Sequence, residues 1–120
     1  MSPVTKGASG ELLISISFSP EFSGFKGHFP GRPVLPGICM LETALVALGV
    51  YWGAPVTLRR LVSAKWLAPV LPGEEIGFAI RLKEGDAGTV QCKVAVMRKV
   101  ERIAEFTFDV TGAPPGGCGL

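Results

Sequence analysis

Residues 36–55 read PGICMLETALVALGVYWGAP, and the arrangement of the rest of the chain follows from them. Ile38, Leu41, Leu45, Leu48 and Trp52 recur at steps of three and four, which is the helical period. Pro36 suits a first helical turn, because its missing N–H would have no intrahelical partner there. Gly53 and Pro55 stop the helix. Val46, Ala47 and Val50 lie off the main stripe, so the helix is apolar around most of its circumference. A helix of that kind needs cover on all sides.

The flanking segments supply it. Leu12, Ile14, Ile16 and Phe18 alternate with smaller or polar residues, as do Ile76, Phe78, Ile80 and Leu82. The same period of two runs through Val90, Cys92, Val94 and Val96, and through Ala104, Phe106, Phe108 and Val110. Leu58 to Leu67 is a fifth, weaker strand, with Val62, Ala64 and Trp66 on one side. Gly85-Asp86-Ala87-Gly88 is a tight link that predicts an antiparallel hairpin. The expected architecture is α+β: an antiparallel sheet wrapped around one central helix, with a second subunit covering what the sheet leaves open. Residues 1–111 form a single domain in this reading, and 112–120 a flexible Gly/Pro-rich tail.

Composition narrows the class. At 120 residues the chain fits one domain. Apolar residues at 48% against 18% charged exclude an intrinsically disordered chain. The longest uncharged stretch, Thr43 to Leu58, falls short of the ~20 residues of a membrane span and contains two glycines and a proline. The first residues lack an apolar run behind a basic region, so no secretory signal is read there. Cys39, Cys92 and Cys118 are widely spaced and suggest neither a zinc site nor a disulfide framework. A cytoplasmic location follows as the default. A net charge of +2 is too weak to argue for nucleic acid, although it is compatible with an acidic partner.

Two residues stand out chemically. His28 is the only histidine, in Gly27-His28-Phe29-Pro30-Gly31, within a loop stiffened by Pro20, Pro30, Pro33 and Pro36 that runs into the helix N-terminus. It could be a loop histidine satisfied by the backbone. Held near a positive helix end, it is biased to the neutral form that a general base needs. Glu42 is the only charged residue between Arg32 and Arg59, and it falls on or beside the apolar stripe. It could be the one exposed position of a surface helix. Desolvated there, a carboxyl is protonated more readily and can serve as a general acid. The amides of Gly37 and Ile38 open out of the first turn and could bind an oxyanion. Cys39 reads as an inert thiol, and Arg98, Lys99 and Arg102 as a solvated hairpin end.

The run from Phe25 to Glu42 resembles the signature of the hot-dog-fold 3-hydroxyacyl-acyl-carrier-protein dehydratases. A His opens it, His28-Phe29-Pro30-Gly31 and Pro36-Gly37 follow, and the helical acid comes fourteen residues after the His. Lys65, Pro69-Val70, Pro72-Gly73 and Glu74 resemble a second, looser family stretch. The resemblance implies a hot-dog dimer, or an assembly of dimers, with sites at the interface. His28 would take a C2 proton, Glu42 of the other subunit would protonate the departing 3-hydroxyl, and the Gly37 amide would hold the thioester carbonyl. The substrate would ride on acyl-carrier protein or coenzyme A, its chain in an apolar tunnel between subunits, with no metal or cofactor. Ala68, where the family commonly has a basic residue, and a short lead before the signature point to a divergent relative serving a polyene, polyketide or specialised lipid pathway. Double-bond isomerisation by the same base, thioester hydrolysis and non-catalytic acyl binding or assembly are the alternatives.

Overall fold

The computed structural model describes residues 4–8, 10–17, 37–71, 73–85 and 88–112. In chain order these form β1 (Thr5–Lys6), β2 (Leu12–Ser17), α1 (Gly37–Trp52), β3 (Thr57–Trp66), β4 (Glu75–Glu84), β5 (Val90–Arg98) and β6 (Glu101–Thr111). The strands make one six-stranded antiparallel sheet in the order β1-β2-β4-β5-β6-β3. Helix α1 therefore lies in the connection between β2, near one edge, and β3 at the other. That connection lays the helix across the sheet's inner face.

The alternation read from sequence sets that inner face. Ile76, Phe78 and Ile80 of β4, Val90, Cys92, Val94 and Val96 of β5, and Ala104, Phe106, Phe108 and Val110 of β6 are all buried. Met40, Leu41, Thr43, Ala44, Ala47 and Leu48 of α1 close over them. The Thr43 hydroxyl donates to the Cys39 carbonyl at 2.8 Å, so this buried polar side chain is satisfied within its own helix. Gly53, at φ 73°, ends the helix. The Ala54 N–H returns to the Gly49 carbonyl at 3.1 Å, the six-to-one bond of a Schellman ending. Gly85 and Thr89 close the β4–β5 hairpin.

One detail differs from the sequence reading. In β3, the pairing with β6 slips between Leu58 and Arg60 and again between Leu61 and Ser63. Each slip is a bulge, which adds a residue and reverses the alternation beyond it. Leu61, Ala64 and Trp66 thus stand opposite Phe108, Phe106 and Ala104, and Val62 does not share their face as expected. The sheet covers one side of α1, and Ile38, Val46 and Val50 on the other side are 57%, 57% and 59% exposed, the side that the sequence reading leaves to a second subunit. Phe18, the expected end of β2, and residues 113–120 of the tail lie outside the described residues.

Candidate active site

The N-terminus of α1 anchors the site. Gly37 opens the helix, half-buried, and Ile38 beside it is exposed. The first N–H groups of a helix have no intrahelical acceptor, so those of Gly37 and Ile38 find no partner within α1. Trp66, at the end of β3, packs against Gly37 so tightly that a Cβ there would lie 2.7 Å from indole Cε2. Glycine is required at that position for this approach. Trp66 in turn packs at a tilt on Phe106, ring centroids 5.6 Å apart.

Glu42 lies one turn further on, and it is exposed rather than desolvated by its own chain. The expectation of a carboxyl sealed in apolar surroundings fails for the single chain, because the sheet covers the opposite side of the helix. Its neighbours at four-residue steps are Ile38, Val46 and Val50, a stripe in which it is the only polar group. Beyond it, Leu45, Val46, Gly49, Val50 and Gly53 form an apolar groove of about 470 Å³ with Ala54, Pro55 and Val56. A carboxylic acid is thus followed along one helix face by a groove suited to hydrocarbon. His28, Phe29, Pro30, Gly31 and Pro36 lie outside the described residues. The burial of Cys39 and then the Glu42 charge push its thiol pKa up, which disfavours the thiolate.

Arg98 does more than end a solvated hairpin. Its Nη1 donates to the Pro69 carbonyl at 2.9 Å and to Glu74 Oε1 at 2.8 Å, and its Nη2 to Glu101 Oε1 at 2.8 Å. Glu74 Oε1 also accepts the Leu71 N–H at 2.8 Å. The Glu101 hydrogen bond, with Glu74 beside it, raises the Arg98 pKa further. This clamp fixes the turn after β3 that seats fully buried Val70, and so holds the strand end carrying Trp66. No local pattern signals it, because Arg98 and Glu74 are far apart in sequence. A concavity of about 840 Å³ lies on the sheet's outer face among Lys65, Arg81, Lys93 and Arg102 and contains none of the candidate residues.

Among the described residues one helix lies over a six-stranded antiparallel sheet, with a lone carboxyl and an apolar groove along one helix face, and this is the architecture of the hot-dog fold. A family model described as ApeI-like, ApeI dehydratase, matches residues 5–106. The chain belongs to this dehydratase family. It is 31% identical over 116 residues to a 3-hydroxyacyl-[acyl-carrier-protein] dehydratase FabZ of Levilactobacillus brevis, covering 89% of the chain and 77% of that protein. The corresponding enzyme of Lactobacillus helveticus is also 31% identical, over 92% of the chain and 81% of its own length. Among solved structures, the dehydratase heterocomplex ApeI:P from Xenorhabdus doucetiae superposes with a TM-score of 0.72 at 18% identity, over 93% of the chain and 100% of that one. The fluoroacetyl-CoA thioesterase FlK superposes at 0.64 with 15% identity, over 84% of the chain and 83% of its own. At such identities the structures speak for the fold alone.

Proposed function

We propose that the chain removes water from a 3-hydroxyacyl thioester on acyl-carrier protein, or on coenzyme A, to give the trans-2-enoyl thioester. The supporting observation is the lone carboxyl of Glu42 in an apolar helix stripe, one turn from the first-turn amides of Gly37 and Ile38, within a chain of the dehydratase family. The thioester carbonyl accepts from the Gly37 N–H, with Ile38 beside it, and the charge that grows on that oxygen as C2 loses its proton is stabilised there. His28 takes the C2 proton. The 3-hydroxyl leaves with a proton from Glu42, the C2–C3 double bond forms, and water departs. Phe29, Pro30, Gly31 and Pro36 shape the loop that presents His28. The acyl chain follows the groove beyond Glu42.

Each site is completed by two subunits, in a homodimer or an assembly of dimers. The partner's Glu42 serves the His28 of the first subunit. A second copy seated on the exposed stripe supplies the desolvation of Glu42 that one chain lacks. Residues 1–111 form one domain and 112–120 a tail. The setting is cytoplasmic fatty-acid synthesis or a related specialised lipid, polyene or polyketide pathway; among the described residues no helix is long and apolar enough to cross a membrane.

The test is incubation of the purified protein with a 3-hydroxyacyl thioester, and with its enoyl product for the reverse reaction, read by enoyl absorbance and by mass. Loss or gain of one water that disappears in His28→Ala is the expected result. Release of free thiol without a change in water would mean hydrolysis, and neither change over several chain lengths would mean a binding module.

A further inference from the structure

The outer face of the sheet serves neither the core nor the candidate site, yet it is not an ordinary solvated face. Around its concavity of about 840 Å³ stand Lys65 of β3, Arg81 of β4, Lys93 of β5 and Arg102 of β6. Arg102 pairs with Glu105 at 3.4 Å, while Lys65, Arg81 and Lys93 have no ion-pair partner among the described residues. Arg81 and Lys93 are direct cross-strand neighbours, so they repel where an opposite pair would attract. The segments outside the described residues offer little to neutralise them: 113–120 has no charged side chain, and 18–36 holds Glu21 against Lys26 and Arg32.

Beside the cations the floor is small. Ala79 faces Ala95 across β4 and β5, and Gly77 faces Met97. Gly77 lies inside a strand and has no positive φ. A Cβ built on it would meet the Ile14 carbonyl oxygen at 3.7 Å, an ordinary contact. Its own sheet would accept a side chain there, and one would strengthen the strand. A bare glycine in mid-strand leaves room for something approaching from outside. A second hollow of about 410 Å³, lined by Leu13, Ser15 and Gly77, meets the first at Ala79 and Met97. Together they make one trough, apolar and small at one end and basic at the other.

We propose that this trough docks an acidic helix of another protein. Strands β4 and β5 are paired on both edges and have no backbone groups left for an added strand. The occupant must therefore satisfy its own backbone, and a helix about 10 Å wide covers roughly twice the strand spacing. Its small or apolar stripe rests on Gly77, Ala79 and Ala95, and its acids meet Lys65, Arg81 and Lys93. A second copy fits badly, since a two-fold contact through this face sets the same cations against one another. A flat bilayer would span the trough without entering it. In the dimer reading the second subunit covers the α1 stripe, on the other face of the sheet, and leaves this one open.

The probe is a labelled helical peptide of Ala, Leu and Glu, with Ala and Leu along one stripe and Glu beside it. It is titrated against the full chain by fluorescence anisotropy at about 0.15 M salt, where screening acts over roughly 8 Å and only local charges count. Saturable binding is expected. Lys93→Glu should weaken it on the order of tenfold. The same change should raise the urea midpoint, because it relieves the repulsion with Arg81. Opposite signs in the two readouts separate docking from folding. Gly77→Leu fills the floor and should weaken binding by a similar factor with the strand content intact by circular dichroism. Lys99→Glu makes the same charge change at the β5–β6 turn and should leave binding within about twofold. No saturable binding, binding unmoved by Lys93→Glu, or equal binding of a scrambled peptide of the same composition would overturn the proposal. So would tighter binding of duplex DNA or phosphatidylserine vesicles, which would make the face a general polyanion surface.

Discussion

Strands β5 and β3 carry a similar load of apolar residues, and the fold treats them in opposite ways. The inward residues of β5, between β4 and β6, are at most 3% exposed. On β3, Leu61, Val62 and Trp66 are 45–48% exposed, and every residue of the strand is open to solvent. The difference comes from place in the sheet order. A central strand has neighbours on both edges and a helix over its face; β3 has β6 on one edge, and α1 reaches it at Gly37. Among the described residues no strand pairs with its outer edge, which sets backbone N–H and C=O groups beside apolar side chains, a combination that invites pairing with another strand. The uncovered stripe of α1 lies next to it. The chain completes its core within one subunit and leaves its candidate site on the uncovered side.

The largest expected effect marks the completed half. Phe108, fully buried and stacked on Phe106, should cost about 3–5 kcal/mol on truncation to alanine, read as a fall in the urea midpoint. Val46→Lys on the uncovered stripe should leave single-chain stability within about 0.5 kcal/mol, as for an exposed position. Its effect belongs to assembly: light scattering at micromolar concentration should show the wild type as a dimer or larger and Val46→Lys as a monomer. A monomeric wild-type protein would break the comparison and the shared site with it.

Next in size are the residues that the uncovered half serves. His28→Ala and Glu42→Gln should each lower turnover by at least about a hundredfold, roughly 3 kcal/mol in barrier height. Neither should lower the melting temperature appreciably, which separates chemistry from folding. Mixing the two inactive proteins should restore activity, because a mixed dimer keeps one site with both residues intact. Glu42→Gln at wild-type rate would make the carboxyl merely the solvated position of a surface helix.

The central strands and the helix were legible because burial imposes a period: two for β4, β5 and β6, and three to four for α1. The short β1 has no period to read. Strand β3 was only partly legible, since its bulges at Arg59 and Val62 break the alternation without any marking residue such as glycine. Glu42 was visible as the one charge in an apolar helix, but its exposure was not, because spacing does not say which side of an all-apolar helix the sheet takes. The meeting of Trp66 with Gly37 and the clamp of Arg98 on Glu74 depend on tertiary approach between distant segments, which leaves no local trace.

The smallest effect sharpens the comparison on the sheet's outer face. Arg81 of β4 and Lys93 of β5 stand directly opposite one another, both exposed, and neither has an ion-pair partner among the described residues. Like charges in that register repel, and opposite charges attract, by a few tenths of a kcal/mol to about 1 kcal/mol. Lys93→Glu should therefore raise the stability of the central hairpin by about 0.5 kcal/mol, discounted for solvent screening at exposed side chains. Lys93→Gln should give part of that gain, because it removes the repulsion without creating an attraction. In about 1 M salt, where screening acts over roughly 3 Å, the three proteins should converge. A gain that persists in salt would assign the effect to strand propensity instead of charge. On this outer face, substitution changes stability by tenths of a kcal/mol, because water already solvates both partners. On the inner face of the same two strands, side chains have no solvent to fall back on, and the scale is several times larger.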